Sequence, residues 1–94
     1  MDHVATTNVP TEKASSYLQQ LCKHFAHKVE TRFTPEEGSI AFDFGRAELI
    51  ARDGVLIISA KASDQASLER LQRVLSSHLE RFAFRETLTM NWGD

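Results

Sequence analysis

The chain is poor in the residues that rigid scaffolds and metal clusters require: one cysteine, two prolines and four glycines among 94 residues. The lone Cys22 excludes an intrachain disulfide, and a thiol left reduced points to a cytoplasmic protein. Long apolar runs are absent as well. The longest is VLII at 55–58, far short of the roughly 20 residues a membrane span needs, so no membrane partner is expected. The opening MDHVATTNVP has no charged n-region followed by an apolar h-region, and no export signal is read from it. Charge of one sign is also missing. Eleven basic against thirteen acidic side chains leave −2, which supplies neither the positive footprint of a nucleic-acid binder nor an acidic disordered tail. No repeat, low-complexity tract or linker divides the sequence, and its 41% hydrophobic content suits one core, so 1–94 is read as a single domain.

Catalytic signatures are equally scarce. There is no Gly-rich phosphate loop, no G-x-S-x-G elbow, no H-E-x-x-H and no cysteine pair at zinc spacing, so catalysis has no warrant in the sequence.

The pattern of apolar residues gives the elements. Residues 4–9 alternate weakly and Pro10 ends them, which predicts a short edge strand. From Thr11, a candidate cap, Ala14, Tyr17, Leu18, Leu21, Cys22, Phe25 and Ala26 recur at three- and four-residue steps, predicting a helix over 11–27. Residues 29–33 alternate, a turn follows at 34–38, and Ile40, Phe42 and Phe44 resume the alternation. Gly45 permits another reversal, 46–52 is a weaker strand whose inward set is ambiguous, and Asp53-Gly54 marks a two-residue hairpin into the apolar strand 55–60. Ser63 or Asp64 caps a second helix with Leu68, Leu71, Leu75, Leu79 and Phe82 in one stripe. The tail alternates again, Leu88, Met90 and Trp92 opposing Thr87, Thr89 and Asn91, as an edge strand or docked tail. The order β-α-β-β-β-β-α plus C-terminal tail implies an α+β domain with two helices packed on one face of an antiparallel sheet. Its other face, with Glu30, Arg32, Asp43, Arg46 and Glu48, reads as solvated or lightly covered by a partner.

One thiol and two imidazoles crowd the segment CKHFAHK at 22–28, the density of a metal site. Helix geometry separates them: Cys22 lies about 160° around the axis from His24 and joins the apolar stripe. His24 and His27 share a flank, where two imidazoles suit one ion but no acidic or thiolate ligand accompanies them. His78 stands where the second helix asks for an apolar residue. Side-by-side helices would bring it near His24; the plainer reading is an imidazole satisfied by a backbone carbonyl, Glu80 or Tyr17. Lys23 and Lys28 near the end of the first helix, and Arg81 and Arg85 near the end of the second, either offset the helix macrodipoles or form a small anion pocket. Glu86 is placed to pair with either arginine, and Trp92 reads as a hydrophobic lid or core anchor.

Two segments, YLQQLCKHFAHK at 17–28 and SHLERFAFRETLTMNW at 77–92, resemble the bacterial family catalogued as domain of unknown function 2218, whose members are stand-alone proteins of similar size. The combination of K-H-F-x-H-K and F-x-F-R-E with a late tryptophan carries the resemblance, which covers nearly the whole chain. It singles out Lys23, His24, Phe25, His27, Lys28, His78, Arg81, Phe82, Phe84, Arg85, Glu86 and Trp92. It implies a fold like the β-α-β(4)-α arrangement of TATA-binding-protein-like domains and the C-terminal domain of phosphohexomutases. The family carries no assigned activity; its genes often lie beside siderophore and iron-uptake functions, which implies an iron or siderophore context for the histidines. The −2 charge stands against DNA binding.

Three functions are therefore expected to compete. One is a non-enzymatic accessory domain binding a small anionic ligand or metal through His24, His27, His78, Lys23, Lys28, Arg81 and Arg85. Another is an interaction module whose open sheet face or edge strand pairs with a second copy or another protein. The third is an enzyme using His24 or His78 as general base.

Overall fold

A computed structural model describes residues 2–83, 86–88 and 90–93. Its elements are β1 (His3–Pro10), α1 (Ala14–Phe25), β2 (Glu30–Phe33), β3 (Glu37–Phe42), β4 (Gly45–Arg52), β5 (Val55–Ala62) and α2 (Gln65–Phe82). The strands form one antiparallel sheet in the order β1-β5-β4-β3-β2. β2 to β5 are thus a meander, as expected, and β1 is an edge strand, paired with β5.

Both helices cover one face. Ala5, Thr7 and Val9 of β1, Ile40 of β3, Ala47 and Leu49 of β4, and Leu56, Ile58, Ala60 and Ala62 of β5 are buried beneath them. The inward set of β4 follows from register. Ala47 lies opposite Ile40 and Ala60, and Leu49 opposite Ile58, so these face the core while Arg46 and Glu48 face out. Tyr17, Leu18, Leu21, Cys22 and Phe25 from α1 and Leu68, Leu71, Leu75 and Leu79 from α2 complete the cluster.

The turns differ in chemistry. Asp53 and Gly54 both adopt positive φ, 47° and 74°, the type I′ geometry whose twist matches the paired strands, and Arg52 faces Val55 across it. At the β3–β4 reversal Phe42 faces Gly45, so Asp43 and Phe44 form the turn. Phe44 is therefore not a strand residue, and Gly45 does not make the reversal. Gly45 is needed for space: a Cβ there would lie 2.6 Å from the Lys61 carbonyl oxygen and 3.0 Å from Leu71 Cδ2.

Helix α1 is shorter than its periodicity predicts at both ends. The Thr11 hydroxyl accepts from the Lys13 amide at 3.1 Å ahead of the helix, and the residue at the N-cap is Lys13, without a side-chain cap. At the other end residues 26–28 are turn, so His27 and Lys28 lie beyond the helix. α2 starts as expected of an Asx cap: Asp64 accepts from the Ser67 amide at 2.7 Å, and that bond holds its carboxyl below the usual range.

Among the described residues the tail docks by one isolated bridge. Thr6 and Gly93 exchange backbone hydrogen bonds of 2.7 and 2.9 Å, Trp92 Nε1 donates to Ser76 Oγ at 3.0 Å, and Leu88, Met90 and Trp92 pack against the core. The expected outward position of Thr89 lies outside the described residues, as do Phe84 and Arg85. Among the described residues no helix is long and apolar enough to cross a membrane.

Candidate ligand site at the helix ends

The last turn of α1 and the last third of α2 run side by side, and each presents an imidazole to the other. His24 and His78 have ring centroids 4.8 Å apart, inclined at 49°. Phe25 touches both rings, at 5.0 Å from His24 and 4.9 Å from His78, and Phe82 lies 5.9 Å from His24. Behind them Phe25 meets Phe42 at 5.0 Å, Phe42 meets Phe44 at 5.3 Å, and the Arg70 guanidinium sits 4.1 Å over the Phe44 ring. The cluster is a continuous row of rings running from the helix ends to the β3–β4 turn.

His78 is satisfied by its own helix. Its Nδ1 lies 2.7 Å from the Val74 carbonyl oxygen, and a carbonyl only accepts, so Nδ1 carries the proton. In the neutral ring Nε2 is then the bare nitrogen, free to accept from or ligate a guest. Of the three partners the sequence offers, backbone carbonyl, Glu80 and Tyr17, it is the carbonyl that is used.

His24 is open to solvent on its outer edge and lies against aromatic rings on its inner one. Its pKa is lowered from 6.5, first by that desolvation and then by the positive charges of His78, Lys28, Arg81 and His27. The exposed cations Lys28 and Arg81 thus act on the same point, and His27, though outside α1, stays near enough to contribute. Lys23 lies elsewhere, on a depression it shares with Ser15, Ser16, Gln19 and Gln20. Arg85 lies outside the described residues.

Cys22 is fully buried, and burial pushes its thiol up to about 11, so it is core rather than ligand or nucleophile. Among the described residues no three histidine, cysteine, aspartate or glutamate side chains gather to hold a metal ion.

Among the described residues Glu86 makes no ion pair with Arg81, and a pairing with Arg85 lies outside the described residues. Glu86 Oε2 accepts from the Tyr17 hydroxyl at 2.5 Å and from Thr11 Oγ1 at 3.4 Å. The donor is a residue whose place in the apolar stripe hides its polar tip, so residue spacing gave no signal of it. The row Phe25, Phe42, Phe44 was likewise invisible: each ring belongs to an ordinary apolar position, and only the register of β3 against α1 joins them.

Residues 6–93 match the family described as an uncharacterized protein conserved in bacteria, domain of unknown function 2218. The NMR structure of PA4090 from Pseudomonas aeruginosa is similar throughout, with a TM-score of 0.81 and 38% sequence identity, over 96% of this chain and 94% of that one. No curated protein matches the sequence. A match over nearly the whole length, with the β-α-β-β-β-β-α order shared by a solved relative, places the chain in the bacterial family of domain of unknown function 2218.

Proposed function

We propose that the protein is a non-enzymatic accessory domain that binds a small anionic ligand at the ends of α1 and α2, with His24 and His78 as its polar floor and Lys28, Arg81 and His27 as its cationic rim. The observation that carries this reading is the convergence of those groups on His24. Cations at helix C-termini ordinarily offset the macrodipole. Here two imidazoles join them, and desolvation first, then the positive charges of His78, Lys28, Arg81 and His27, lower the His24 pKa. An anion would offset those positive charges, and His78 Nε2 donates to it once the ring is protonated or, while bare, accepts from a hydroxyl of the guest or ligates an ion it carries. The family resemblance suggests an iron- or siderophore-related anion, in which the guest supplies metal ligands beyond the two imidazoles. A cytoplasmic location accompanies this reading, supported by the single reduced Cys22.

The test is a titration of the untagged protein with citrate and with gallium citrate, a diamagnetic stand-in for the ferric chelate, read on the imidazole resonances. Saturable shifts at His24 and His78, a rise in the His24 pKa, and loss of roughly tenfold in affinity in His24→Ala and His78→Ala are expected. Unchanged imidazole resonances with both probes up to about 1 mM would remove the basis for this site.

A further inference from the structure

The sheet face away from the helices carries an ordered pattern of charge that the helix-end site does not use. Register places Glu30 of β2, Ala41 of β3 and Arg46 of β4 in one row across the strands, and Arg32, Ser39 and Glu48 in the next. The four charged residues are exposed and stand on strands two apart, about 10 Å across the sheet. Between them the small side chains of Ser39 and Ala41 form the floor of a trough of about 450 Å³. Over β2 to β4 opposite signs alternate along each strand and across each row, so the four make a square of alternating charge, with Lys61 of β5 beside Arg46 at its margin. Among the described residues the one ion pair within 4 Å is Lys61 with Asp2. The square is left without close partners of its own.

Such a square is its own complement. Set face to face with a second copy by a two-fold axis along β3, Glu30 meets Arg46 of the other copy and Arg32 meets its Glu48. Turned instead about an axis across the strands, midway between the two rows, Glu30 meets the other copy's Arg32 and Arg46 meets its Glu48. An axis displaced onto a charged row or column sets like charges opposite each other, so the pattern also fixes where the axis passes. The low floor lets the two sheets approach at β3. The edges are less suited to pairing. β2 is only four residues long and carries alternating charges, and β1 is partly blocked by the Thr6–Gly93 bridge.

We infer that this face is a homodimer interface, in which the Glu30, Arg32, Arg46, Glu48 square of one copy docks on the same square of another through an isologous two-fold. A three- to five-strand footprint is at the small end of specific interfaces, so the dimer is weak and dissociates with salt. It is independent of the helix-end ligand site, which lies on the opposite layer.

Sedimentation velocity tests it on the full chain. A dimer fraction that rises with concentration to about 1 mM, falls at high ionic strength and disappears in Arg46→Glu is expected. Charge exchange then identifies the axis: Glu30→Arg with Arg46→Glu restores dimerisation for the axis along the strands, Glu48→Arg with Arg46→Glu for the axis across them. All these positions are solvent-exposed, so circular dichroism is expected to be unchanged. A wild-type chain that stays monomeric throughout, a dimer indifferent to Arg46→Glu, or failure of both exchanges overturns the inference, and His24→Ala is expected to leave every result unchanged.

Discussion

The Tyr17 hydroxyl donates to Glu86 Oε2 at 2.5 Å, joining the middle of α1 to the segment after α2 across 69 residues of sequence. The phenol is buried and next to a carboxylate. Desolvation first, then its hydrogen bond and the Glu86 charge, push its pKa up to about 12. A raised pKa means the folded state holds the proton more tightly than the unfolded one. The resulting stability is fully present below pH 10 and is lost as pH rises from 10 to about 12. Tyr17→Phe is expected to cost about 1–2 kcal/mol at pH 7, read by denaturant unfolding, and to flatten the alkaline fall in stability between those limits. An alkaline limb identical in wild type and variant would show that this pair does not govern it.

The imidazole pair predicts the opposite limb. The His24 pKa is depressed below 6.5, so the unfolded state takes up its proton first as pH falls. Stability from this group is present above pH 6.5 and lost as pH drops through the folded value. In His78→Ala one of the repelling charges is gone. Its His24 resonances are expected to titrate at higher pH than in wild type, though still below the usual value because desolvation is the larger cause. An unchanged midpoint would mean that the rings do not sense each other.

How far these relationships were legible in the sequence differs with their range. Helix stripes and the Asp53-Gly54 turn depend on neighbours within a few residues, and both were readable. The limits of α1 were not: Thr11 is a good cap by type, but its hydroxyl is engaged with Lys13 and Glu86, and tertiary packing set the start instead. Phe44 kept the alternation of β3 while belonging to the next turn, because period alone does not show where a hairpin reverses. At the site, His78 stood out as a polar residue in an apolar stripe. Its meeting with His24 depended on how the two helices lie on the sheet, which no local pattern encodes.

Thr7 is a β-branched residue on the inner face of β1, 1% exposed, and its hydroxyl has no hydrogen-bond partner among the described residues. A buried hydroxyl without a partner loses its hydration with nothing in return. Thr7→Val keeps the shape and β propensity while removing that group. A gain of about 1 kcal/mol is expected, visible as a rise in Tm of several degrees for a chain of this size. A loss of stability would reveal that the hydroxyl is satisfied in solution.

Gly38 and Cys22 share one small space. A Cβ at Gly38 would sit 2.8 Å from Cys22 Sγ and 3.3 Å from Leu18 Cδ2, so Gly38→Ala overpacks the β3–α1 contact and is expected to cost about 1–3 kcal/mol. Cys22→Ala leaves a void at the same place and also destabilises. Each change supplies what the other lacks. The double variant is therefore expected to be more stable than the sum of the two by about 0.5–2 kcal/mol, measured in a double-mutant cycle by urea unfolding. Strict additivity would mean that the strand shifts away from α1 to admit the methyl group and that Sγ is not what excludes it. The same burial gives an independent check on the wild type. With its thiol pushed up to about 11, Cys22 is expected to react with a thiol reagent at pH 8 only through unfolding, at a rate that rises with urea and is faster in Gly38→Ala.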